Sequence, residues 1–141
     1  MNITIDTSVL LAVCTNEASK PKLVELTQGH YLLVPASVHW EVGNALSAML
    51  KRGRITGLQA QACLLAYQQI PLTKIEVDLA TAVELAGRFQ IYAYDAYLLT
   101  CALVFRKTAI FFGCHNKQHL NSLKSNFLNR RKNSVFHSGD F

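Results

Sequence analysis

Short apolar runs that take turns with helix-patterned stretches constrain this chain more than any other feature. Ile3 and Ile5 alternate with Asn2 and Thr4, the period of two that marks a strand. Tyr31-Leu32-Leu33-Val34-Pro35 is a second such run, closed by proline. Leu72 to Val77, with partial alternation, and Ala109-Ile110-Phe111-Phe112 supply a third and a fourth. The intervals carry helical spacing. Val9 to Val13 is short; Glu17 to Gln28 follows, with Leu23, Val24 and Leu26 apolar and Gly29 just past its end. Val38 to about Leu50 repeats Val38, Val42, Ala45, Leu46 and Met49, with Ser37 placed to cap it. Thr56 to Gln69 sets Leu58, Ala62, Leu65 and Ala66 on one side. Leu79 to Gly87, capped by Asp78, has the stripe Leu79, Ala82, Val83 and Ala86, and Glu84 falls on its solvated face. Tyr94 to Phe105 is apolar on every side and is expected to be buried all round. Strands alternating with helices predict an α/β fold, a sandwich with a central parallel sheet.

Half of the 141 residues are hydrophobic and 16% are charged, a balance that suits a compact globular domain and not a disordered chain. No apolar run approaches a membrane span and no signal-peptide pattern precedes Ile3, so the expected compartment is the cytoplasm. Cys14, Cys63, Cys101 and Cys114 show no paired short spacing and are expected to be reduced and mostly buried. There is no internal repeat and no Gly-rich phosphate loop.

Three carboxylates carry the chemistry. Asp6 falls where the first strand ends, and the crevice beyond the carboxyl ends of the strands is the usual ligand site of an open α/β sheet. A plain N-cap is the competing reading for Asp6, and again for Asp95 at the start of the last helix. Glu41 lies in a helix with Ser37, Asn44, Ala45 and Ala48 on the same face, small neighbours that leave room for an ion or water. Three acids brought together repel one another unless a cation neutralises them. Mg2+ or Mn2+, which takes hard oxygen ligands and keeps waters, suits such a site and the hydrolysis of a phosphodiester.

With these residues in order, the chain resembles the PIN-domain family, most closely the VapC-type toxin ribonucleases of type II toxin–antitoxin pairs. The resemblance rests on Ile5-Asp6-Thr7-Ser8-Val9-Leu10, on Glu41 in the helix after Val34-Pro35, and on Tyr94-Asp95-Ala96-Tyr97. It implies a three-layer α/β/α sandwich over residues 1–112 and cleavage of single-stranded RNA regions with Mg2+ or Mn2+. It further implies Asp6 and Asp95 as metal ligands, Glu41 holding metal or positioning the attacking water, and Thr7 or Ser8 steadying Asp6 through a hydroxyl. A homodimer and a cognate antitoxin, whose tail occupies the acidic cleft, are the implied partners.

The chain departs from the family after about residue 112. A fourth acid, usually in a Thr-x-Asp pattern after the last strand, is replaced by Phe112-Gly113-Cys114-His115-Asn116, and no acid lies between Asp95 and Asp140. A change of reading frame in the gene would produce such a departure. His115 can stand in for an oxygen ligand where the metal is Mn2+. Cys114, His115 and His119 lack the fourth ligand that a zinc site needs. Residues 113–141 form a divergent basic segment. From Met1 to Phe105 seven Lys and Arg face eight Asp and Glu, a balance of −1, whereas Arg106 onward carries seven against one, a balance of +6. Lys117, Lys124, Arg130, Arg131 and Lys132 are the candidate RNA-phosphate contacts. The alternative to an endoribonuclease is a catalytically weakened PIN-like module that binds RNA or a partner protein. A phospho-accepting receiver domain ranks last, because Asn2 and Ile3 do not supply its acidic pair.

Overall fold

The structure, a computed structural model, describes residues 1–105 and 108–111. Cys114, His115, His119 and the five candidate phosphate contacts in the basic segment lie outside the described residues, as does that segment as a whole.

Four strands, β1 (Asn2–Ile5), β2 (Tyr31–Pro35), β3 (Leu72–Ile75) and β4 (Thr108–Phe111), form one parallel sheet in the order β3-β2-β1-β4. Asn2 pairs with Tyr31 on one side of β1 and with Thr108 on the other. A parallel sheet must bury both faces under crossover helices, and here Ile3, Thr4 and Ile5 are all buried despite the alternating pattern of β1.

On one face lie α1 (Thr7–Cys14), α2 (Lys20–Thr27), α3 (Val38–Lys51) and α4 (Gly57–Gln68). Ile3 and Ile5 meet Val9 and Leu10 of α1, Val38, Val42 and Leu46 of α3, and Cys63 and Tyr67 of α4 in a single core cluster. On the other face α6 (Ala93–Val104) packs against β1, β2 and β4, and α5 (Leu79–Phe89) packs on α6. The Cys101 thiol of α6 stands beside the Thr4 hydroxyl. The result is the expected three-layer α/β/α sandwich. Among the described residues no helix is long and apolar enough to cross a membrane.

Local signals set several boundaries. Gly29, at φ +75°, turns the chain out of α2 in a conformation that glycine enters without steric cost. Thr56 and Gln59 close a reciprocal capping box on α4. Asp78 caps α5, its Oδ2 accepting from the Thr81 amide at 2.8 Å, and Glu84 is exposed as expected.

The faces differ from the pattern in four helices. α2 begins at Lys20, not Glu17, and has no buried residue; Val24 and Leu26 are exposed. On α4 the expected stripe Leu58, Ala62, Leu65 and Ala66 is exposed, and the helix buries Cys63 and Tyr67 instead. On α5 only Ala82 is buried, with Leu79 and Val83 outside. α6 is buried from Leu98 to Ala102 but exposes Tyr94, Leu103 and Val104, so it lies on the sheet and is not enclosed all round.

Candidate active site

Three helices start at the carboxyl edge of the sheet. α1 follows β1 directly at Asp6, and α3 starts three residues after β2 ends. α6 has to reach the amino end of β4 across a short link, so it runs against the strands; its twelve residues, about 18 Å, set its first turn back at the carboxyl edge. Each start carries one of the expected acids: Asp6 at the N-cap of α1, Glu41 in the first turn of α3 and Asp95 in the first turn of α6. The partial positive charge of three helix N-termini favours negative groups there.

Asp6 has extended backbone (φ −75°, ψ 150°), and its carbonyl accepts from the amides of Val9 and Leu10. Its carboxylate makes no capping bond to the helix. Oδ2 instead accepts the Ser8 hydroxyl at 2.5 Å. The plain-cap reading of Asp6 therefore fails at its side chain, and the carboxylate stays half-buried at the strand end. Asp95 is not the cap of α6 either, because Tyr92 holds that position.

Glu41 is gripped from both sides. The Thr7 hydroxyl donates to Oε2 at 2.5 Å, and the Ser37 hydroxyl donates to Oε1 at 2.7 Å. Ser37 was expected to cap α3; its side chain makes no cap bond and turns to Glu41, four residues on and so on the same helix face. Of Thr7 and Ser8, the two hydroxyls expected to steady Asp6, Ser8 is the one that does so, and Thr7 ties the start of α1 to α3 across 34 positions of sequence. Asp6 and Glu41 are thereby joined through two adjacent residues of one helix turn. Each carboxylate oxygen has two lone pairs, so those of Glu41 can take a water or cation beside the hydroxyls they already accept.

Asp95 is half-buried, and its sequence neighbours Tyr94 and Tyr97, one turn apart on α6, meet edge to face with ring centroids 5.8 Å apart. Among the described residues no group of three or more His, Cys, Asp or Glu closes into a metal-holding cluster. The structure thus joins Asp6 with Glu41 and places Asp95 at the same edge on a separate helix. The donor set, carboxylates with hydroxyls, is of the hard oxygen kind that suits Mg2+ or Mn2+.

Two further features had no signal in the spacing. His39 Nε2 accepts from the Lys74 ammonium, and its Nδ1–H donates to the Tyr67 hydroxyl oxygen (2.8 Å), linking α3, α4 and β3. An apolar cavity of about 250 Å³ opens between α1, α2 and α4, with Val9, Val13, Leu23, Ala66 and Ile70 in its wall. None of its lining residues is a carboxylate. Nearby, burial pushes the Cys14 thiol up to about 12, and the Cys14 and Cys63 thiols hydrogen-bond each other across the α1–α4 contact. Cys63 and Cys101 are buried, Cys14 is half-buried, and all three are free thiols.

A model of the PIN-domain family matches residues 3–113 of the chain. Among solved structures it is similar to VapC20 of Mycobacterium tuberculosis, described as a sarcin-ricin loop cleaving toxin. The identity is 16% and the TM-score 0.52, over 85% of this chain and 94% of that one. At that identity the likeness speaks for the fold alone. No curated protein matches the chain.

Proposed function

The chain belongs to the PIN-domain family, and on that premise we propose that it is a metal-dependent endoribonuclease, the toxin of a toxin–antitoxin pair. The observation that carries the proposal is the hydroxyl-held pair of carboxylates, Asp6 with Ser8 and Glu41 with Thr7 and Ser37, at the carboxyl edge where α6 also begins. Asp6, Glu41 and Asp95 would hold Mg2+ or Mn2+. When bound, such an ion offsets charge on the scissile phosphate and acidifies a water. The chain's own residues do the positioning. Ser8 fixes the rotation of the Asp6 carboxylate, and Thr7 with Ser37 fixes that of Glu41. Glu41, with lone pairs to spare, orients the attacking water and accepts its proton.

RNA is the proposed substrate, and an antitoxin and a second copy of the chain are the proposed partners. Residues 1–112 would form the catalytic unit and the basic segment 113–141 an auxiliary phosphate contact through Lys117, Lys124, Arg130, Arg131 and Lys132. One observation favours the alternative of a weakened module: no three-acid cluster closes among the described residues. The deciding experiment is cleavage of a panel of tRNA and rRNA fragments in Mn2+ by wild type and Asp6→Asn. Cleavage by the wild type that the variant loses supports the nuclease. No cleavage by either, with both folded and no thermal shift on adding Mn2+, supports the module. Deleting 113–141 should lower RNA affinity and its salt dependence and leave any cleavage dependent on Asp6.

A further inference from the structure

Two thiols meet between α1 and α4. Cys14 is the last residue of α1, and Cys63 lies midway along α4. Their side chains are within hydrogen-bonding reach of each other where the two helices pack. Cys63 is 2% exposed and belongs to the core cluster; Cys14 is half-buried and packs against that cluster. A single buried cysteine is ordinary core material, but a facing pair can form a covalent bond. Cys101 has no such partner among the described residues, and it lies on the other face of the sheet beside Thr4.

A disulfide needs sulfurs that can approach to about 2.05 Å, and therefore helices that can yield slightly. The apolar cavity of about 250 Å³ lies between the same two helices, walled by Val9, Leu10 and Val13 of α1 and by Ala66 of α4. Open space there lets α1 and α4 draw together without compressing a filled core. Burial acts differently on the two oxidation states. A buried thiolate loses its hydration, which keeps both thiols protonated. A disulfide carries no charge, so apolar surroundings do not oppose it. Burial slows the closing step and leaves its product undisturbed.

We propose that Cys14 and Cys63 form a thiol pair that closes to a disulfide by exchange with a low-molecular-weight disulfide, locking α1 onto α4. The pairing stands whether or not the chain is a nuclease. Cys14 is the attacking sulfur: it is the more accessible of the two, and Lys20 at the start of α2 favours its thiolate. That thiolate attacks one sulfur of the small disulfide RSSR. The Cys14–SR bond forms, and RS− leaves and takes up a proton. Cys63 then gives up its proton and its sulfur attacks Sγ of Cys14. The Cys14–Cys63 bond forms, and a second RS− leaves with that proton. Two protein thiols are oxidised, and one small disulfide is reduced to two thiols. The bond sits at the opposite end of α1 from Thr7 and Ser8, so it pins the helix without touching the hydroxyls that hold Asp6 and Glu41.

With the Cys14 thiol raised to about 12, only about one molecule in 10^5 carries the thiolate at pH 7. Closure is therefore slow at neutral pH and should quicken about tenfold per pH unit. The test incubates the folded full chain with excess glutathione disulfide between pH 7.5 and 9.5, quenches with acid and maps peptides without reduction. The peptides of Cys14 and Cys63 should be recovered joined, at a rate that follows the expected pH slope. Tm should rise by about 10 °C, as for a cross-link that closes a loop of about fifty residues, and dithiothreitol should reverse the rise. Cys14→Ala, at a half-buried position, should fold and lose both the joined peptides and the gain in Tm. Cys63→Ala should stop at the mixed disulfide of Cys14 with glutathione; if that core variant does not fold, the wild-type map and Cys14→Ala decide. Glutathione held on Cys14 of the wild type with no second step would overturn the lock. So would closure seen only in urea, a bond from Cys14 to Cys101 or Cys114, or a joined pair whose Tm is unchanged or lower.

Discussion

Replacing Thr7 by valine removes one hydroxyl while keeping the branched side chain, and it tests whether the α1–α3 tie at the carboxylates is an energetic contact. The bond that disappears is the 2.5 Å donation to Glu41 Oε2. A hydrogen bond to a charged group contributes about 1.5–3 kcal/mol. Thr7 and Glu41 are both half-buried, so water competes for the freed carboxylate oxygen and the lower end applies, about 1.5 kcal/mol. For a domain of this size that lowers Tm by roughly 5 °C. Glu41→Ala should cost more, about 2–3 kcal/mol, because it takes the acceptor from Ser37 as well. The double variant should then cost less than the sum of the singles by about 1 kcal/mol, the coupling of the Thr7–Glu41 contact. Urea unfolding of the four proteins at pH 7 measures it. Thr56→Ala paired with Glu41→Ala is the control and should be additive, since Thr56 contacts Gln59 on α4 and not the site. Additivity of the Thr7 and Glu41 variants to within about 0.3 kcal/mol would refute the reasoning.

Thr56→Ala alone should cost about 1 kcal/mol by opening the capping box of α4, and Thr56→Ser should recover most of it in the same assay. Leu65→Ser, on the exposed face of α4, should change monomer stability by no more than about 0.5 kcal/mol; a larger loss that depends on protein concentration would mean that a second copy covers this face. Burial raises the Cys14 thiol from 9.0 to about 12 and Cys101 to about 11, so the fold favours the protonated thiols. At about pH 7 both folded and unfolded chains are protonated and stability is full; from about pH 8 the unfolded thiols begin to ionise. From pH 9 to 11 the unfolded chain ionises first, and the urea midpoint should fall, by an amount equivalent to about 1–2 kcal/mol at pH 10. A flat profile from pH 8 to 10 would contradict it.

The strands were legible because each is a short apolar run with no competing period, and β1 and β2 lie where Ile3, Ile5 and Leu32 to Pro35 put them. Helix positions were legible for the same reason, but helix faces were not. In α4 the leucines Leu58 and Leu65 outweigh Cys63 and Tyr67 in any hydrophobic count, yet Cys63 meets Cys14 and Tyr67 meets His39. Those partners are tens of residues away, so local periodicity cannot contain them. The site shows the same division. Asp6 could be found because a strand ends there, whereas the Thr7–Glu41 bond joins two stretches with no shared spacing. Ser37 did have a signal, its four-residue offset from Glu41, but the commoner role of serine before a helix concealed it.

The strand order has a consequence for the order in which the chain can fold. β1 is an interior strand, and it is among the first residues to be synthesised. Its neighbour on one side, β2, arrives within thirty residues, but β4 on the other side arrives only after about a hundred. Until then β1 presents an open, apolar edge, the kind of edge that pairs with other chains. Contacts this distant in sequence also make closure slow. Truncation before residue 108 should therefore leave a half-sheet prone to aggregation, and the carboxyl edge should reach its final shape only once the last strand docks.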